Sequence, residues 1–252
     1  MGNSNLKHHD LNKLSDYSSS HRKIEIISIV LFFILECQII YWILKNFQIS
    51  LLPYFLFAIV LGHISADFVS GFVHWAADTW GSVDWPIVGN SLIRPFREHH
   101  VDPKAITRHD VIETNGDNCM ITLPLLLITS FYTYLFNANS KSYLIISFIC
   151  SLSLFVLLTN QIHKWSHQDK VPVLISILQK MRIILHPIHH EIHHQAPFNK
   201  YYCITTGWLN YPLNKIHFFS TLENVIQKMT GAIPREDDIG KMAAQETTQR
   251  ST

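Results

Sequence analysis

The sequence predicts an all-α membrane protein: four transmembrane helices with a histidine-rich, di-metal cap on their cytosolic side. Three observations lead there. Hydrophobic residues make up 48% of the 252 and charged residues 15%, well short of the ~25% charged share of a soluble domain. Four stretches have the length, ~17–25 largely apolar residues, that a membrane helix needs. Of 16 histidines, twelve fall between residues 74 and 217, most of them clustered near the ends of those stretches. Intrinsic disorder and a disulfide-stapled secreted domain are both excluded by this composition. A formal net charge of +1 offers nothing to nucleic acid.

Residues 1–23 are polar and carry no apolar core of a signal peptide. Gly2 is placed for myristoylation, but Leu6 stands where that motif requires Ser or Thr. The membrane domain is expected over 24–233. Its first span, 24–44, is interrupted by Glu36 and Gln38; the second, 51–73, is apolar to about Gly62 and mixed beyond it. The third covers 119–136 and the fourth 143–159. Residues 171–185 carry Gln179, Lys180 and Arg182 toward one end, which reads as an interfacial helix rather than a span. A polar tail occupies 234–252. Cys37, Cys119, Cys150 and Cys203 form no CxxC pair; three of the four lie in or beside apolar stretches, which favours buried thiols over metal ligands.

Four spans place both termini, the 74–118 segment and everything after residue 160 on one side. Lys7, Lys13, Arg22, Lys23, Arg94, Arg97, Lys104 and Arg108 then share that side, against Lys45 and Lys141 on the other. The excess of positive charge makes the large side cytosolic.

On that side His74 and Asp78 (HWAAD) are one helical turn apart, as are His163 and His167 (HKWSH). The i, i+4 spacing puts both side chains of a pair on one helix face. His99 and His100 (REHHVD) and His109 (TRHD) follow the second span, and HPIHHEIHH supplies His190, His193 and His194. Neighbouring residues on a helix diverge by ~100°, so an HxxHH run can serve one metal ion or divide its histidines between two. These ten donors, nearly all nitrogen and without thiolate, suit two non-haem iron ions better than one four-coordinate zinc. His186 and His189 lie beside the run but are not assigned to it, and His217 reads as a surface residue. His8, His9 and His21 belong to the polar N-terminus. His63 is eleven residues before His74, ~16 Å along a helix, too far to share an ion; it and Glu36 read as packed polar groups. Asn115, Asp117 and Asn118 (ETNGDN) read as loop and cap residues.

An iron pair beside the lipid would act on an acyl or alkyl chain, by desaturation or hydroxylation, with O2 as co-substrate. No catalytic residue beyond the metal ligands is expected. The chain has no GxGxxG or P-loop, so no nucleotide cofactor is assigned and electrons must come from a carrier protein. Arg94, Arg97, Arg108 and Lys164 offer a basic surface on which an acidic carrier can dock. A metal transporter is the alternative from another class, but its ligands would lie near the membrane midplane rather than at span ends.

The stretches ADFVSGFVHWAADTWGSVDWPIVG, IRPFREHHVDPKAITRHDVIETNGDN, TNQIHKWSH, and HHEIHH followed by YYCITTGWLNYPL, over roughly residues 60–240, resemble the plasmanylethanolamine desaturase family. Plant enzymes that desaturate phosphatidylglycerol chains share part of the pattern. The resemblance implies an endoplasmic-reticulum enzyme that forms the vinyl ether of a plasmalogen from 1-O-alkyl-2-acyl-glycerophosphoethanolamine. It implies two irons, O2 and cytochrome b5 as electron donor. The family's histidine boxes fall on His163, His167, His190, His193 and His194, with His74, Asp78, His99, His100 and His109 at other motif positions.

Overall fold

A computed structural model describes residues 19–82, 85–86, 88–135, 138–195 and 197–234. Residues 1–18, with Gly2, His8 and His9, and the tail from residue 235 lie outside the described residues. Four helices are long and apolar enough to cross a membrane. They are α1 (Ser19–Lys45), α2 (Leu52–Thr79), α5 (Val111–Leu135) and α6 (Ser140–His167). Between α2 and α5 lie the shorter α3 (Arg94–Val101) and α4 (Ala105–Arg108); after α6 come α7 (Val173–Lys180), α8 (Pro187–Glu191), α9 (Asn210–Lys215) and α10 (Phe218–Thr230).

The helices outrun the apolar windows that announce them. α2 continues from the expected 73 to Thr79, α6 from 159 to His167, and α5 begins at Val111 rather than 119. Each extension is polar, all three emerge at one end of the bundle, and two of them carry the HxxxD and HxxxH pairs. Hydropathy locates the segment a membrane accepts; backbone hydrogen bonding carries the helix past that boundary. Asn115, Asp117 and Asn118 therefore sit inside the first turns of α5 and not in a loop. The capping falls to Asp110, whose Oδ1 accepts from the amides of Ile112 (2.9 Å) and Glu113 (3.0 Å). The fourth span starts on a capping box, Asn139 with Ser142.

α2 packs along α6, α1 along α5, and α5 also against α6. The core between α1, α5 and α6 is built from Phe32, Leu35, Ile39, Leu126, Tyr143 and Ile146. Lipid-facing positions such as Ile34, Phe57, Ile128 and Phe131 stay exposed on the bundle surface. The polar interruptions of α1 face inward and are partnered. Glu36 accepts from Ser153 Oγ and, at 3.1 Å, from Cys150 Sγ; Gln38 Nε2 donates to Thr133 Oγ1 at 3.0 Å. Gly62 lets α2 meet α6 closely, since a Cβ there would stand 2.8 Å from the Leu152 backbone nitrogen. α7 is shorter than the interfacial stretch expected from sequence, ending at Lys180, and exposes Val173, Leu174 and Ile177.

Candidate metal centre

Nine of the ten donors expected from sequence converge at the ends of the spans, in two groups. His99, His163, His167, His190 and His194 form one; His74, Asp78, His100 and His193 form the other. Within each group one nitrogen or oxygen per residue lies within 4.8 Å of all the rest. α2 gives its last two turns to His74 and Asp78, and α6 gives His163 and His167. α3 gives His99 and His100, and the α8 region gives His190, His193 and His194. Adjacent residues part company: His99 and His100 point apart as neighbours on α3 must, and His193 and His194, in the turn after α8 ends at Glu191, likewise go to different groups. The groups abut, with the His190 and His193 ring centroids 5.7 Å apart and those of His74 and His163 6.1 Å apart.

Imidazole Nε2 atoms crowd each other. His163 Nε2 stands 2.9 Å from His99 Nε2 and 2.8 Å from His190 Nε2, and His100 Nε2 is 2.9 Å from His193 Nε2. One neutral ring can donate to only one other, so five convergent nitrogens cannot satisfy each other by hydrogen bonding. Asp78 Oδ2 lies 3.4 Å from His74 Nε2, 3.3 Å from His100 Nε2 and 3.6 Å from His193 Nε2. His74 Nε2 is buried with no hydrogen-bond partner among the described residues. Two rings have their tautomer set from behind: His74 Nδ1 donates to Tyr202 O at 3.1 Å and His193 Nδ1 to Lys200 O at 2.9 Å, leaving each Nε2 lone pair pointing inward. A site of buried, convergent lone pairs and one carboxylate fits metal ions.

The lipid desaturase domain family matches residues 63–237, a segment that contains both donor groups and excludes α1. The chain belongs to the lipid desaturase family. A plasmanylethanolamine desaturase of Myxococcus xanthus is 51% identical to it over 233 residues, 90% of this chain and 80% of the relative. Plasmanylethanolamine desaturase 1 of Mus musculus is 50% identical over 226 residues, 88% of this chain and 83% of its own. The chloroplastic fatty acid desaturase 4 of Arabidopsis thaliana is 34% identical over 178 residues, 69% of this chain and 52% of its own. No solved structure matches the chain. As a lipid desaturase it is an oxidoreductase, and it is a membrane protein.

Several expectations meet a different arrangement in this desaturase. His109 joins neither group. It lies at the end of α4, its Nε2 3.6 Å from Glu113 Oε1, while its carbonyl accepts from Lys164 Nζ. Of the four basic residues offered as a docking surface, one is not on the surface at all. Arg97 is buried, donating to the carbonyls of Ala77, Trp80 and Gly81. Arg108 pairs with Asp102, Arg94 faces Glu98, and Lys164 serves His109. His186 is the N-cap of α8, its Nδ1 accepting from the Ile188 amide at 3.2 Å, and His189 Nε2 donates to Gly207 O. His63 stacks on Phe155, ring centroids 3.9 Å apart. His21 has a structural place: its Nε2 lies 3.6 Å from Glu25 and 3.2 Å from Asp117, tying α1 to α5.

Burial holds His99, His190 and His193 well below the ordinary histidine range, and the neighbouring imidazoles push the same way. His194 is pushed down to about 2, by burial first and then by His167. A histidine lowered in the folded state leaves stability intact above its unfolded pKa of ~6.5, and stability falls as pH drops below it. For His194 that window runs from ~6.5 down to about 2. The metal-free protein in detergent should therefore melt at a lower temperature at pH 5.5 than at pH 7.5. Each extra proton bound by the unfolded chain contributes about 1.4 kcal/mol per pH unit. A flat profile in a thermal melt series would remove the burial argument.

Proposed function

We propose that this chain desaturates the O-alkyl chain of 1-O-alkyl-2-acyl-glycerophosphoethanolamine between its first and second carbons, giving the vinyl ether of a plasmalogen. The observation that carries the reading is the pair of abutting donor groups where the spanning helices leave the membrane, in a chain about half identical to two plasmanylethanolamine desaturases over nearly all its length. His99, His163, His167, His190 and His194 would hold one iron, and His74, Asp78, His100 and His193 the other. When bound, the iron pair supplies the O2 activation needed to break an unactivated C–H bond. The two hydrogens removed from the chain, with two electrons and two protons, reduce one O2 to two waters.

The remaining work falls to the protein. α2 and α6 bring the donors to the end of the bundle, beside the lipid that holds the alkyl chain. The carbonyls of Tyr202 and Lys200 keep protons on the outer nitrogens of His74 and His193. Burial of the donors keeps bulk water from the oxidising centre. Arg22, Lys23, Arg94, Lys104 and Arg108 lie toward the same end as the donors, which favours a cytosolic site; the endoplasmic-reticulum membrane is what the family resemblance implies. Cytochrome b5, a one-electron carrier, would deliver the electrons there in two visits.

Plasmalogen-deficient cells expressing the chain and fed a labelled alkyl-glycerol test the reading. The wild type should yield labelled vinyl-ether phosphatidylethanolamine, two hydrogens lighter than its precursor, and His190→Ala none. A product heavier by one oxygen would make the enzyme a hydroxylase. Unchanged alkyl ether from well-expressed wild type would end the ether-lipid assignment.

A further inference from the structure

Residues 202–207 are buried without interruption and belong to no helix. They run antiparallel to α2: Tyr202 O meets His74, Cys203 packs on Gly71, the Ile204 amide donates to Ser70 Oγ at 3.1 Å, and residues 205–207 meet Asp67. Seven helical residues separate His74 from Asp67, a rise of ~10 Å that a short extended segment matches. A Cβ on Gly71 would stand 2.4 Å from Cys203 Sγ and 3.1 Å from its backbone nitrogen. The segment therefore lies as close to α2 as a backbone can.

Buried backbone amides outside a helix need partners, and most of them come from one side chain. Asp67, fully buried, accepts at Oδ1 from the amides of Thr205 (3.2 Å), Thr206 (2.7 Å) and Gly207 (2.9 Å), and at Oδ2 from Leu209 (3.1 Å). Asn210 secures Cys203 in both directions, at 2.8 and 2.9 Å. The other end of the same segment presents the carbonyls that hold His193 and His74 by their Nδ1 atoms. Both histidines belong to the group containing Asp78. The segment also reaches the element bearing His190, through His189 Nε2 to Gly207 O and the Leu185 amide to Thr205 O, but among the described residues none of its carbonyls holds an imidazole of the five-histidine group.

We infer that Asp67 is a positioning residue for one metal site only: by gathering the 205–209 amides it fixes the carbonyls that orient His74 and His193. The inference rests on the ligand assignment under Proposed function. Asn at this position keeps the shape but turns an amide NH2 toward backbone N–H groups, so the clasp loses acceptors and gains an opposed donor. The effect should fall on the mixed site and spare the five-histidine site.

The test uses the full chain purified in detergent, loaded anaerobically with ferrous iron and desalted, with iron counted per chain and resolved by Mössbauer spectroscopy. Wild type should hold about two irons, and Asp67→Asn about one with a single spectral component remaining. Ser70→Ala, a milder loss on the same segment, should keep both irons but release one at roughly tenfold lower chelator concentration. A folded Asp67→Asn protein that holds two irons, or none, overturns the inference. Should Asp67→Asn fail to fold, Ser70→Ala decides, and unchanged chelator release overturns it. Wild type binding fewer than two irons would instead refute the ligand assignment itself.

Discussion

Asp78→Asn should reduce vinyl-ether product by at least about 100-fold while protein abundance in the membrane stays within about twofold. Asp78 is the one carboxylate among the nine convergent donors. Its Oδ2 lies within 3.3 to 3.6 Å of three imidazole nitrogens. Asparagine fills the same volume, so packing against α3 and the α8 region survives, but the site loses its only negative charge and part of its affinity for a divalent ion. His167→Ala is the matching test in the five-histidine group and should have an effect of the same size. Under the proposed ligand assignment each variant would weaken one of the two ion sites, so the two should lose product alike. Product measured by lipid mass analysis from cells with matched protein levels checks both. Wild-type turnover in either variant would show that its residue is not a ligand.

How far such residues can be read from sequence depends on the range of the interaction that places them. Local periodicity was sufficient for most. HxxxD and HxxxH fix a shared helix face, and the ~100° between neighbours makes HH and HxxHH divisible between two ions. The structure divides them in that way, at His99/His100 and at His193/His194. His109 has the right residue type in the right neighbourhood, but α4 ends beneath it and its backbone is drawn to Lys164 on α6. No spacing rule reports that contact. Asp67 stands on α2 one turn after His63, on the face that also carries His74 and Asp78. Its partners are some 140 residues away in sequence, and the YYCITT stretch they belong to has no period that points to α2. Arg97 shows the same limit. Positive charge at a cytosolic membrane boundary reads as surface until the carbonyls it serves are seen.

Arg97 also yields the second large effect. α2 ends at Thr79 with carbonyls that no helical amide can satisfy. The buried Arg97 guanidinium takes up this end, donating from Nε to Ala77 O at 3.3 Å and from Nη2 to Trp80 O and Gly81 O, both at 3.0 Å. It stands two residues before His99 on α3, so one side chain couples the helix end bearing His74 and Asp78 to the helix bearing His99 and His100. Arg97→Ala removes these three bonds from the end of α2, and losing even one charge-assisted bond costs about 1.5–3 kcal/mol. For a chain of this size that lowers the melting temperature by roughly 5–10 °C, with iron content and product falling together. Arg97→Lys restores a positive charge at the negative end of the α2 dipole but offers one ammonium in place of a planar fork. It should recover part of the stability and little of the product. A docking residue for an electron carrier would behave in the opposite way. Lysine would then serve nearly as well as arginine, alanine would leave melting temperature and iron content untouched, and only the carrier concentration needed for half-maximal turnover would rise. Thermal melts, iron counts and a carrier titration on the two variants separate these outcomes.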